Sequence, residues 1–335
     1  MKTRPIFLLI LLTCLCTGLD ANAQFNFTKR SQKTPNRGDF TPYSSIGFGG
    51  GHAHYNGELV KYSNPGDVFR NIRWNGSIDY TRYFTRRFSA RLGFSYVRLF
   101  GDDNNFTSSK DGFLYTRNFH FRNDVKEFSL TGILNLTDGG KDFKRRPSGI
   151  RPYIFGGIAI FAHDPKAKAP TEFGGGWERL QPLSTEGQGL PGYDLKPYSL
   201  VQVAVPFGIG LRYKITERLD VSAEIGLRIT FTDYLDNVGG NYPDMADLPS
   251  DLARAMANRT LETTGAYSGK DRKAILSGFL NTNYGFPLTG DPFAQPIPGF
   301  SERGDQSGSP DRQDSYVISV FKINYIIASK DKCPN

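Results

Sequence analysis

The stretch Ala204 to Asp233 constrains the fold more than any other, because two long runs of strict alternation are joined there by a very short turn. In the second run Leu219, Val221, Ala223, Ile225, Leu227, Ile229 and Phe231 take the odd positions. Asp220, Ser222, Glu224, Gly226, Arg228, Thr230 and Thr232 take the even ones. A period of two places these sets on opposite faces of a strand. Before the turn at Ile215 to Arg218, Val205, Phe207, Ile209, Leu211 and Tyr213 alternate in the same way with Pro206, Gly208, Gly210, Arg212 and Lys214. Each run is as long as the ~9 to 11 tilted residues that a membrane-spanning strand needs, whereas strands of soluble domains are nearer ~5 to 6. The pattern predicts a transmembrane β-barrel hairpin, apolar face to lipid and polar face to the lumen.

The start of the chain fits that destination. Lys2 and Arg4 precede the apolar run Ile6 to Leu15, and Ala21-Asn22-Ala23 supplies a small-x-small cleavage site, so residues 1–23 read as a secretory signal peptide. Thr13 and Leu15 stand before Cys14 and Cys16 where a lipoprotein signal would have a small residue, so lipidation is not expected. Cleavage removes two positive charges and one negative, taking the formal charge from +8 to +7 and leaving Cys333 as the single cysteine. One cysteine makes no internal disulfide, so packing and backbone pairing hold the mature chain. No later segment is apolar for the length of a spanning helix, in keeping with a mean hydropathy of -0.42. A membrane location therefore requires a barrel.

Six further strands follow from the same alternation: about Tyr43 to Tyr55, Ile72 to Phe84, Phe88 to Tyr96, Val125 to Leu136, Pro152 to Ala162 and Tyr316 to Ala328. The first is weakened by glycines. The fifth in chain order, Pro152 to Ala162, is apolar on both faces, so its lipid side is open. With the opening hairpin the total is eight. Connections alternate short and long without exception, as in an outer-membrane barrel with short periplasmic turns, long external loops and both termini in the periplasm. A lipocalin, the soluble eight-stranded rival, has an apolar interior and short loops. The expected fold class is therefore all-β, an eight-stranded antiparallel up-and-down transmembrane barrel over 43–329. A periplasmic lead-in, 24–42, precedes it and a short tail, 330–335, follows. Tyr80, Tyr83, Phe84, Phe88 and Tyr213 would form a periplasmic aromatic belt, with Trp74, Tyr96 and Phe231 nearer the outer ends. The insertion 234–315 is too long for a simple loop; Ser250 ahead of Asp251 to Met256 reads as a capped short helix, and the Gly- and Pro-rich stretches after it as irregular.

No chemical site emerges, and neither a cofactor nor a metal is expected. His52 and His54 share a strand face but lack a neighbouring carboxylate or cysteine, and His120 and His163 are scattered. Asp102, Asp103, Asp233, Asp236, Asp244 and Asp247 follow no calcium-loop spacing and read as solvated loop carboxylates. There is no nucleophile signature of an enzyme and no basic patch interleaved with aromatics that would suit nucleic acid. The lumen-facing Arg73, Asp79, Arg91, Glu127, Arg212, Glu224 and Arg228 are expected to pair and close so narrow an interior, although a conduction path is the other use of such charges. Arg86, Arg87, Lys214 and Arg218, on the short turns, are basic and would suit an acidic periplasmic partner.

Several ordered segments resemble the PorG-like family of outer-membrane barrels of Bacteroidota, which is linked to the type IX secretion system. They are GDD at 101–103, NFHFRND at 118–124, RPYIFGGIAIFAHDPKA at 151–167, LQPLSTEGQG at 180–189, VPFGIGLRYKITERL at 205–219 and FTDYLDNVGGNY at 231–242. The resemblance implies a non-enzymatic, integral outer-membrane component, embedded in outer-membrane lipid and contacting the periplasmic ring of lipoprotein and partner subunit. A small porin-like transport barrel and a surface ligand-binding or adhesin barrel are the alternatives.

Overall fold

The computed structural model describes residues 40–60, 69–106, 112–137, 149–288, 296–309 and 313–327. The signal peptide, most of the lead-in and the tail lie outside the described residues. Eight long strands carry the wall: β1 Tyr43–Asn56, β2 Arg73–Tyr83, β3 Phe88–Asp102, β4 His120–Asn135, β5 Ile150–Ala162, β8 Val201–Lys214, β9 Leu219–Thr230 and β10 Ser315–Ile327. Two short ones, β6 Pro165–Lys168 and β7 Trp177–Arg179, stand outside it. Every wall strand pairs antiparallel with its chain neighbours, and β1 pairs with β10, so the sheet closes on itself.

One hydrogen-bonded row shows how it closes. Starting at Ile160, the row passes through Phe128, Phe94, Ile78, Phe48, Ile323, Val221 and Tyr213 and returns to β5 at Ile150, ten residues from where it began. Ten residues at ~3.3 Å across eight spacings of ~4.8 Å tilt the strands by about 40°. Each side chain in that row points outward, so the row is also a ramp of lipid-facing residues. Two glycines permit the tightest approaches in the wall. A Cβ on Gly51 would lie 2.1 Å from the Ser319 carbonyl oxygen, and one on Gly157 would lie 2.0 Å from that of Leu130.

The exterior is apolar and the interior polar, the inverse of a soluble barrel, so the wall spans a membrane. Leu92, Phe128, Ile209 and Phe321 stand exposed on the outside, while Asp79, Arg91, Glu127 and Glu224 are buried inside. The open question on β5 is settled by the same division: Ile154, Ile158 and Ile160 face outward, and Tyr153, Phe155 and Phe161 fill the interior. Of the expected aromatic belt, Tyr80, Phe84, Phe88 and Tyr213 do face outward. Tyr83 does not; it is buried and stacks on Tyr43 with ring centroids 4.3 Å apart.

Two regions depart from the sequence reading. β3 and β4 continue past Tyr96 and Val125 and stay paired as far as Asp102 with His120, projecting beyond the rest of the wall. β6 joins β4 through Arg122 with Lys166, and β7 joins β6, making a small outlying sheet. Helix α1, Gly112–Arg117, lies between β3 and β4. The insertion after β9 is a folded cap. Helix α2, Asp251–Ala257, is capped as expected, with Ser250 Oγ accepting from the Ala253 N–H. Helix α3, Lys273–Tyr284, was not expected; it stops at Gly285, whose φ of 60° suits a helix end. Leu276 and Leu280 on α3 pack with Leu261, Ile297 and Phe300. Leu235 and Val238 then pack against Tyr55, Leu99, Phe121 and Phe161 of the wall, which seats this segment on the barrel mouth.

Candidate functional site

Polar groups concentrate in two places, the mid-lumen and the capped mouth. In the lumen the alternation of β2, β3, β9 and β10 aims Asp79, Arg91, Glu224 and Lys322 at one another. Arg91 donates twice to Glu224, at 2.6 and 3.0 Å. Lys322 Nζ lies 2.9 Å from Asp79 and 3.2 Å from Glu224, and Arg91 lies 3.8 Å from Asp79. Tyr153 adds a hydrogen bond to Glu224 of 2.5 Å. Two carboxylates thus face two cations, all buried, and the polar cavity left beside them has a volume of about 30 Å³, room for about one water. One layer nearer the mouth, Glu127 pairs with Arg228 at 3.4 Å and accepts from Tyr316 at 2.7 Å.

Of the seven lumen charges named from sequence, five therefore fall into two clusters. Arg212 stands apart, its guanidinium 5.0 Å from the Tyr83 ring centroid and 4.8 Å from that of Tyr153. Arg73 is not part of the network. It sits at the rim over the Phe100 ring, at 3.8 Å, and donates to the carbonyls of Arg70 and Ile72. Lys322, the fourth member of the quartet, is not among the lumen charges named from sequence, nor are the paired Arg151 and Asp220, 3.6 Å apart.

The mouth is built differently. Tyr55, at the end of β1, is hydrogen-bonded through Oη to Asp236 Oδ2 at 2.7 Å and to Asp314 Oδ1 at 2.5 Å. A phenol has one proton, so the second short contact requires a proton on one of the carboxyls. The other oxygens of the two acids accept backbone N–H groups, Asp236 from Val238 and Asp314 from Leu235. Glu186 accepts from Gly239, Gly240 and the Ser307 hydroxyl, tying three separate segments together. Among the described residues no lysine or arginine is within ion-pair distance of Asp233, Asp236, Asp314 or Glu186; the nearby Arg117 is occupied by Asp103 at 2.8 Å. Burial, reinforced by neighbouring negative charge, pushes Asp236 and Asp314 well above the usual carboxylate range. Burial likewise raises Glu186 to about 7 and Asp233 to about 8.

Among the described residues, Glu58, Asp233 and Asp314 form the grouping with ligand spacing, each offering an oxygen within 4.8 Å of the others. Hard oxygen donors of this kind suit calcium or magnesium. The expectation of solvated loop carboxylates thus fails for Asp233, Asp236, Asp102 and Asp103. Asp236 and Asp103 are buried, Asp102 is buried and accepts from the Asn104 N–H, and Asp233 is partly buried. It holds for Asp244 and Asp247 in part: the first caps a short turn and the second accepts from Tyr193. His52 is exposed and His54 buried on the outer face of β1. His120 accepts from the Lys168 N–H, and His163 sits between Asn123 and the Ser199 carbonyl.

At the opposite end the turn residues named as partner contacts share one rim but not one patch, since the β2–β3 and β8–β9 turns lie across the barrel from each other. Arg87 and Arg218 are exposed and Arg86 is half-buried. Lys214 is engaged by Glu217 at 2.5 Å.

No family model matches the chain, and no curated protein matches it. Solved structures similar to it are barrels. The N-terminal β-barrel domain of Pseudomonas aeruginosa OprF shares 10% identity, covering 86% of this chain and 100% of that one, with a TM-score of 0.31. The attachment invasion locus protein Ail of Yersinia pestis shares 10%, covering 86% and 99%, at 0.31. Neisserial surface protein A shares 10%, covering 56% and 82%, at 0.30. The chain is an outer-membrane-type β-barrel by its own architecture, and the functional reading rests on its own residues.

Proposed function

We propose that the protein is a sealed, non-enzymatic barrel that serves as a fixed point in the outer membrane, with both termini in the periplasm and the cap outside the cell. The observation that carries this reading is the charge-balanced quartet of Asp79, Arg91, Glu224 and Lys322 inside a narrow lumen whose mouth is also covered. A conduction path needs mobile water and weakly held charges; buried, mutually paired side chains instead fill so narrow an interior. Planar-bilayer recordings check this: no stable conductance is expected, and a steady ohmic step would sink the sealed-barrel reading.

The partner we assign is the periplasmic ring of the type IX secretion machinery, on the strength of the PorG-like segments and the basic rim of Arg86, Arg87, Lys214 and Arg218. Crosslinking in intact cells followed by mass spectrometry should recover the ring lipoprotein and its partner subunit. Replacing the four rim residues with Glu should abolish that recovery while the barrel still inserts. Undiminished recovery would show that this rim is not the contact. One observation favours a ligand-binding role for the cap instead: a groove of about 310 Å³ beside Lys168, Glu172, Arg259, Glu262 and Tyr267. Loss of surface binding on excision of 241–308, with ring association intact, would establish that second reading.

A further inference from the structure

Among the described residues, outward-facing cations at the capped end of the wall are confined to one side. On β3 and β4 the last lipid-facing pair is Phe94 with Phe128; the pairs beyond it are Tyr96 with Lys126, Arg98 with Asp124, and Phe100 with Arg122. The outlying sheet continues the face, setting Lys166 beside Arg122 and Arg179 beside Lys166, with Lys168 opposite Trp177. Elsewhere round the wall the corresponding outward positions are uncharged or histidine: His52 on β1, Val317 on β10, Ile229 on β9 and Val201 on β8.

The acids on this face do not neutralise it. Asp124 is shared by Arg98 at 2.6 Å and Arg122 at 3.7 Å. Asp164 is shared by Arg179 at 3.0 Å and Lys166 at 3.7 Å. Neither Lys126 nor Lys168 has an acid within ion-pair distance among the described residues. Aromatic rings stand among the cations: Trp74 stacks on Tyr96 at 5.4 Å, the Arg122 guanidinium lies 4.2 Å from the Trp177 ring centroid, and Lys168 lies 4.8 Å from that of Tyr267.

We propose that this face docks the phosphorylated sugar headgroups of an outer-leaflet glycolipid, so that the barrel holds an anionic lipid on one flank. The position argues for lipid over a soluble polyanion. The first cation comes one pair above the last lipid-facing residues, at the level where headgroups begin, and Trp and Tyr are the residues that favour that boundary. Clustered Lys and Arg supply the complementary charge. The choice of the outer leaflet rests on the reading that the cap faces the cell exterior.

The test uses the full chain, folded in neutral detergent micelles, titrated with bisphosphorylated lipid A and with the same lipid stripped of its phosphates. Retained lipid is counted by native mass spectrometry. The variant carries Lys126→Gln, Lys166→Gln and Lys168→Gln together; heat-modifiable gel migration confirms that it is folded. Retention of the phosphorylated lipid should fall roughly 100-fold, given the usual contribution of each of three cations beside an anionic lipid surface. Binding of the stripped lipid should be weak and equal in both proteins. Equal retention of the two lipids by the native chain, or undiminished retention by the folded variant, would overturn the proposal. So would a heparin oligosaccharide that binds more tightly than the lipid and displaces it. Protease access to the cap in whole cells tests orientation separately: a protected cap would remove the outer leaflet as the source, whereas lost phosphate selectivity with an accessible cap would sink the docking face alone.

Discussion

The lumen quartet and the carboxyl cluster at the mouth lie in the same barrel and are buried to a similar degree, but they differ in charge stoichiometry. In the lumen Asp79 and Glu224 meet Arg91 and Lys322, so each charge has an opposite within 4 Å. At the mouth Asp236 and Asp314 meet one tyrosine and each other, with Glu186 and Asp233 close by. Burial sets the penalty for a charge, and the neighbours decide whether pairing or protonation relieves it. The lumen relieves its charge by pairing, whereas the mouth relieves it by protonation, which makes the mouth the region expected to respond to neutral and mildly alkaline pH.

The largest expected effect would come from unbalancing the lumen. Arg91→Ala leaves Glu224 and Asp79 with Lys322 alone and should cost about 3 to 5 kcal/mol in urea unfolding of the micelle-held barrel. Arg91→Leu combined with Glu224→Leu preserves the balance and should recover most of that loss; an equal loss in the double variant would show that pairing is not what matters. Next comes Tyr55→Phe, which strips the shared hydroxyl from two buried carboxyls. About 1 to 3 kcal/mol should disappear from the opening free energy of the cap, visible as faster hydrogen exchange at 235–240 with the wall strands unchanged. Uniform acceleration over the whole barrel would contradict a local latch.

Acidity sharpens the comparison further. Glu186 and Asp233 bind protons more tightly in the folded cap than in an open chain. Their stabilisation is therefore complete below the ordinary carboxylate range and is lost as pH rises through about 7 and about 8. Proteolysis of the cap should accelerate across that window, and Glu186→Gln, which keeps an acceptor for Gly239, Gly240 and Ser307, should remove the lower step. A cap equally resistant on both sides of the window would refute the protonation account. The smallest effect belongs to Lys214 and Glu217 on the exposed turn, where Glu217 is 78% exposed. Removing that pair should change unfolding by no more than about 1 kcal/mol, the lower bound against which the buried quartet is measured.

The wall was legible because a period of two survives in most of the spanning strands and the runs are long. β5 hid its orientation because Tyr153, Phe155 and Phe161 fill the interior with the same kind of side chain that its outer face shows to lipid. The extension of β3 and β4 carried a usable signal, since Val97 and Leu99 alternate with Arg98 and Phe121 and Val125 with Asp124; outward charges made it look like loop. α3 lacks a capping side chain at Arg272 and has Gly278 in its middle, so neither of the usual marks was present. The mouth cluster was beyond sequence reasoning for another reason. Tyr55, Glu186, Asp236 and Asp314 come from four distant segments, and only closure of the barrel brings them together. In the lumen the correct face was evident, but pairing depends on the stagger between strands, which grouped Lys322 with Asp79 and left Arg73 at the rim.

The join between β1 and β10 unites the two ends of the described wall, from Ser44 with Ile327 to Asn56 with Ser315. Nearly the whole chain must be gathered before that ladder can start, the longest loop closure in the molecule. β1 approaches it with glycine at positions 47, 49, 50 and 51, residues that surrender the most backbone freedom and return no side-chain contact. The cylinder accordingly has a seam. It is closed by thirteen residue pairs, more than the nine of β2 with β3, and any larger residue at Gly51 would jam it against Ser319.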